Sequence, residues 1–238
     1  HRNNEEVAMS KEKNLIKNTG ILAIGTLSSK VFTFFLLPIY TAVLLPEDYG
    51  AVDVLYTVCN LLLYFITLQV ESALFRFIIE NRKDEDHIKH CVSTSFCAVG
   101  VMLSITTLLL GGVNYIYPIE HLVVVVLCIW SSAIKLLLLN MARGFGENIL
   151  YSFASFLITI SSLVTNLVLI LGFHSGAVSI LIAIIVSNFV GATIVFVKMK
   201  TWKYLFFDCF DKQLLREMLQ YSVPLIPNAI SWWIANTS

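Results

Sequence analysis

The feature that limits this chain most is a series of apolar blocks, each about twenty residues long, separated by short polar breaks. A bilayer core roughly 30 Å thick is crossed by a helix of about 20 residues. Blocks of this length therefore predict membrane-spanning helices, near residues 18–44, 51–75, 91–113, 121–140, 150–172 and 177–197, with a seventh beginning near Tyr221. Charged residues make up 13% of the 238, about half the share of a soluble domain, too few to coat a surface facing water. The expected fold class is all-α and integral to the membrane.

Turn chemistry occupies the breaks. Pro46-Glu-Asp-Tyr-Gly50, Gly111-Gly112 with Tyr117-Pro118, and Gly172-Phe-His-Ser-Gly176 are read as hairpin turns, because proline and glycine end helices. Gly144-Phe-Gly146 reads as a further turn. Orientation follows from the basic residues. With the N-terminus in the cytoplasm, the inner segments hold all 16 Lys and Arg residues except Lys30 and Lys135, which lie within spans. The basic stretch Lys11-Glu-Lys-Asn-Leu-Ile-Lys17 precedes an apolar run too long for a signal-peptide core, so that run is expected to stay as a helix.

Four units result: 1–17, a cytoplasmic N-terminus; 18–197, a six-helix transmembrane lobe; 198–220, a cytoplasmic interfacial linker; and 221–238, the start of helix seven. The linker is basic and aromatic (Trp202, Tyr204, Phe206, Phe207, Phe210), and Leu214, Leu215, Met218 and Leu219 have helical spacing, which predicts an amphipathic segment at the membrane surface. Met9-Ser10-Lys11 reads like a natural start and the last apolar run stops at Ser238, so the sequence is expected to be part of a longer chain.

Several function classes drop out. Net charge is zero, which argues for no nucleic-acid partner. The five cysteines form no C-x-x-C pair and mostly sit in apolar runs, so they read as reduced core residues. No Walker loop, G-x-S-x-G or H-E-x-x-H is present, and His87 with His90 reads as a solvated loop pair rather than a metal site. The chain is read as a non-enzyme with no cofactor.

Polar groups inside the spans carry the functional signal, since ionisable side chains in a bilayer are costly and usually face a cavity or a partner. Lys30, Asp53, Glu71 and Lys135 lie in or near spans, with Lys30 deepest. As one continuous helix, span two would align Asp53, Asn60, Tyr64, Thr67 and Glu71. Span five aligns Tyr151, Ser155, Thr159, Ser162 and Asn166, and span four clusters Cys128, Ser131 and Lys135. Two explanations fit the neutral residues: a hydrated central cavity, or hydrogen bonding between helices. Glu71 and Lys135 could also pair with each other, or Lys135 could snorkel to the interface.

Several segments, in order, resemble a known family: Lys17-Asn-Thr-Gly-Ile-Leu-Ala-Ile-Gly-Thr-Leu-Ser-Ser-Lys30, Phe35-Leu-Leu-Pro-Ile-Tyr-Thr41, Leu45-Pro-Glu-Asp-Tyr-Gly50, Val70-Glu-Ser-Ala-Leu-Phe-Arg-Phe77, Met141-Ala-Arg-Gly144 before Tyr151, and Tyr221-Ser-Val-Pro-Leu-Ile-Pro-Asn228 with Ser231-Trp-Trp233. Together they are similar to the bacterial polysaccharide-biosynthesis membrane proteins, the repeat-unit flippases of O-antigen, capsule and exopolysaccharide. The resemblance implies a MATE-like exporter fold of two six-helix lobes facing a central cavity, of which this chain supplies the N-terminal lobe and the start of helix seven. It implies a flippase for undecaprenyl-pyrophosphate-linked oligosaccharide in the bacterial cytoplasmic membrane. Polysaccharide polymerase and glycosyltransferases would be partners beside the lipid-linked glycan and membrane lipid. On that reading Lys30, Arg76 and Lys135 would meet pyrophosphate or acidic sugar, Asn60, Tyr64, Tyr151 and Asn166 would meet sugar hydroxyls, and Asp53 or Glu71 would couple an ion. A MATE-type drug or cation antiporter, which Lys30 argues against, and a non-transporting scaffold of a polysaccharide-synthesis complex are the alternatives.

Overall fold

Each described apolar run becomes a helix. The computed structural model describes residues 43, 46–173 and 175–237; most of the first predicted span, with Lys30, lies outside the described residues. The helices are α1 (Pro46–Ile66), α2 (Val70–Glu80), α3 (Glu85–Ile116), α4 (Leu122–Gly144), α5 (Asn148–Leu167), α6 (Ser179–Lys198), α7 (Lys212–Ser222) and α8 (Ile226–Thr237). A π-helical stretch, Val168–Gly172, prolongs α5. Among the described residues, α1, α3, α4, α6 and the extended α5 are long and apolar enough to cross a membrane. Their outward faces stay apolar: Val101 is 59% exposed, Leu108 76% and Val123 70%. Water would penalise such faces, whereas lipid tails do not. The chain is an all-α integral membrane protein.

The two largest packed regions among the described residues hold most of the bundle. Leu74 and Ile78 of α2, Ile88, Cys91 and Val92 of α3, Leu137 and Met141 of α4, and Met218 of α7 form one buried cluster. Leu138 and Ala142 of α4, Ala154 of α5, and Ala192 and Val195 of α6 form another, where small residues let three helices approach closely. Asn188 of α6, 1% exposed, donates to Ser131 Oγ (3.2 Å) and Ser132 Oγ (3.0 Å) of α4. We expect Asn188→Leu to cost about 1 kcal/mol, read as a lowered unfolding midpoint in detergent; an unchanged midpoint would mean that the clasp contributes nothing.

Three sequence expectations about the backbone are corrected. Pro46 to Gly50 is not a turn: Pro46 opens α1, where a missing N–H costs nothing, and Glu47 and Asp48 occupy its first turn. Gly111 and Gly112 lie within α3, with nothing within 4 Å of where their Cβ atoms would stand. Breaking backbone hydrogen bonds in lipid costs several kcal/mol, against about 1 for a helical glycine, so α3 continues. Span two is not continuous: α1 ends at Ile66, Leu68 (φ 50) and Gln69 (φ 56) are left-handed, and α2 starts at Val70.

The segment after α6 is tied to α3. Ser93 Oγ donates to the Tyr204 carbonyl (2.7 Å) and accepts from Phe206 N (3.0 Å). Thr94 Oγ1 accepts from Asp211 N (3.0 Å), and His90 Nδ1 donates to the Cys209 carbonyl (2.8 Å). Asp211 then caps α7, accepting from Gln213 N (2.7 Å) and Leu214 N (3.2 Å). Leu214 and Met218 of α7 turn inward, while Lys212, Gln213, Arg216, Glu217 and Gln220 stay exposed.

Candidate functional site

The helices alternate in direction, which gathers the ends of α2, α4 and α6, the starts of α3 and α5, and α7 at one end of the bundle. Every described Lys and Arg except Lys135 sits there. Three arginines at this end have distinct settings. Arg76 is exposed, bonds Glu80 (2.7 Å), and lies 4.4 Å from the centroid of the Tyr221 ring. Arg82 donates to the Gly144 carbonyl (2.8 Å), beside the turn that Gly146 makes with φ 83. Arg143 lies between two rings, 4.9 Å from the Phe75 centroid and 5.3 Å from the Tyr151 centroid. Among the described residues no carboxylate pairs with Arg143, so its guanidinium is held there by two cation–π contacts and not by an ion pair.

Deeper in the bundle stand Glu71 and Lys135. Ile78 of α2 touches Gly144 of α4, and the two charged residues each precede that contact by roughly two turns. They lie at similar depth, yet the ion pair between them that the sequence allowed is not made; the described ion pairs are Arg76–Glu80, Lys89–Asp86 and His121–Glu120. Lys135 is half-buried, and its electrostatic neighbour is the Cys128 thiol. Glu71 is 4% exposed. Thr67 and Tyr64 are its neighbours, so the helix break still brings these three together. Asp53 joins none of them: it is exposed near the start of α1, about 20 Å along the helix from its end.

The neutral polar residues mostly turn back on their own helices. Asn60 Nδ2 donates to the Tyr56 carbonyl (2.9 Å), Thr159 Oγ1 to the Ser155 carbonyl (3.0 Å), and Asn166 Nδ2 to the Ser162 carbonyl (2.9 Å). Asn166 is 2% exposed, and its Oδ1 is left without a hydrogen bond. The groove lined by Phe96, Gly100, Ser104, Trp130 and Phe206 contains no charged side chain and is separate from all of these groups.

The family model described as polysaccharide biosynthesis protein matches residues 15–238. The chain belongs to the polysaccharide biosynthesis protein family. No curated protein and no solved structure matches it. In this polysaccharide biosynthesis protein, two residues that sequence reasoning left out of the site stand out. Arg143 is legible in the sequence as an inner basic residue and as part of a family-like segment, but its two flanking rings come from different helices. Asn188 sits in an apolar run that gives no periodic polar signal, and its role depends on where α4 packs.

Proposed function

We propose that the protein is a flippase, not an enzyme, and moves undecaprenyl-diphosphate-linked oligosaccharide repeat units across the bacterial cytoplasmic membrane, with its N-terminus in the cytoplasm. The observation that carries this reading is a pair of basic residues on α4 with no carboxylate partner among the described residues: Lys135 within the span and the ring-held Arg143 at its basic end. A family that builds polysaccharide handles glycans on lipid carriers, whose diphosphate is anionic. Guanidinium and ammonium groups without protein carboxylates fit such a headgroup. Arg143 would take it at the cytoplasmic face, Lys135 and Lys30 would accompany it inward, and Arg76, already matched by Glu80, would add less. Tyr64, Asn60 and Asn166 would contact sugar hydroxyls, and Tyr151 would orient Arg143. Paired with a second lobe in a MATE-like arrangement, the six-helix unit would rock about the cavity to give alternating access.

Glycan export in cells lacking their own flippase tests this. Lys30→Ala and Lys135→Ala in the full-length protein are each expected to abolish export while membrane insertion is intact. Normal surface polymer in both variants would remove these lysines from the mechanism.

A further inference from the structure

A groove runs along the exposed side of α3. It encloses about 800 Å³ and is bounded by Trp130 of α4 and by Leu205 and Phe206 of the stretch after α6. Its lining on α3 begins at Ser93, ends at Leu108 and keeps helical spacing, a length of about 22 Å. That is more than half of a hydrocarbon core roughly 30 Å thick. Gly100 lies midway, and a Cβ there would meet nothing within 4 Å, so the floor of the groove is open.

The polar side-chain atoms along the groove are already engaged. Ser93 Oγ holds the main chain of Tyr204 and Phe206. Ser104 Oγ donates to the Gly100 carbonyl (2.8 Å), and Trp130 Nε1 donates to Thr107 Oγ1 (3.0 Å). What remains is apolar surface and the Cys97 thiol, a weak donor. Such a lining suits hydrocarbon and would strip a sugar of its water without replacing it. Charge enters only beyond one end. The stretch 198–208 carries three exposed lysines, Lys198, Lys200 and Lys203, against one carboxylate, Asp208. Lys203 directly precedes Tyr204, whose carbonyl Ser93 holds. The acidic first turn of α3, Glu85 and Asp86, ends seven residues before Ser93, about 10 Å along the helix.

We propose that this groove holds one acyl chain of an anionic phospholipid, with the phosphate of its headgroup at Lys200 and Lys203. An acyl chain enters its leaflet from the headgroup plane, and the groove is laid out in the same way, basic beyond one end and apolar along its length. Lysines near a membrane surface each favour anionic lipid. A docked helix of another protein would use the apolar wall and leave those lysines without a role. The site stands apart from the flippase reading, since it involves no glycan and none enters its test.

Quenching of Trp130 fluorescence in the purified full-length protein in detergent tests the proposal. The quenchers are phosphatidylglycerol and phosphatidylcholine with brominated acyl chains, and the same titration of Trp130→Phe is subtracted to remove the other tryptophans. Phosphatidylglycerol is expected to reach half-quenching at a concentration about tenfold lower than phosphatidylcholine. Gly100→Leu combined with Ser104→Leu fills the floor and should abolish saturable quenching by both lipids. Lys200→Gln combined with Lys203→Gln leaves the groove open, so quenching should persist while the difference between headgroups disappears. Equal wild-type half-quenching overturns the proposal, as does a headgroup preference that survives loss of both lysines or saturable quenching that survives the filled groove. No saturable quenching by either lipid also overturns it, in favour of a protein segment seated there. Displacement of brominated phosphatidylglycerol by undecaprenyl phosphate at a lower concentration than by unlabelled phosphatidylglycerol overturns it in favour of the carrier lipid.

Discussion

Arg143→Ala is expected to cut glycan export about ten- to hundredfold while the protein still accumulates in the membrane. The size comes from the chemistry: a charge-assisted hydrogen bond to phosphate is worth about 1.5–3 kcal/mol, and each 1.4 kcal/mol is about tenfold. The fold should survive, because Arg143 is half-buried and contacts Phe75 and Tyr151 through its face, without an ion pair among the described residues. Arg143→Lys restores the charge but neither the planar fork nor the stacking, so it should recover only part of the loss. Surface polymer measured against membrane protein level reads the result. Wild-type export in Arg143→Ala would show that the ring-held guanidinium only closes the packing at that corner.

The second large effect is structural. Gly191 of α6 faces Ile158 of α5 so closely that a Cβ would lie 2.3 Å from both Cδ1 and Cγ1 of that isoleucine. Gly191→Ala asks Ile158 to swing aside, at a cost of about 1 kcal/mol. Gly191→Leu leaves no such escape and should cost about 3 kcal/mol or more, enough to remove most of the monodisperse protein recovered in detergent. Ile158→Ala combined with Gly191→Leu returns the space and should restore much of the yield. Full recovery of Gly191→Leu alone would show that α5 and α6 separate without penalty.

How far the sequence could be read depended on what each feature answers to. Span length answers to bilayer thickness, so α4, α5 and α6 follow the apolar blocks closely, while α3 (Glu85–Ile116) runs past its block at both ends. Acidic and proline start signals act locally, yet Pro46 was read as a turn, because the same residue types open helices and close hairpins. The break at Leu68 and Gln69 has no sequence mark at all. Neither residue is glycine or proline; Leu68 packs against the core and Gln69 accepts from Ser72 Oγ three residues on. That break is why Asp53, Asn60, Tyr64, Thr67 and Glu71 could be drawn as one stripe on a continuous helix, while the structure keeps only Tyr64, Thr67 and Glu71 as neighbours. Charge told where cations gather but not which were matched. Helical spacing alone offers Arg76 a glutamate four residues on, whereas the two rings beside Arg143 come from other helices and only packing supplies them.

Ser93, Thr94 and His90 grip main-chain atoms of residues 204, 206, 209 and 211, never their side chains. The backbone path of that junction is therefore set by α3, and only those side chains of the stretch that neither cap α7, as Asp211 does, nor pack inward, as Tyr204 and Leu205 do, are free to drift in composition. Related chains could exchange those surface side chains while the path of the backbone beneath stayed the same.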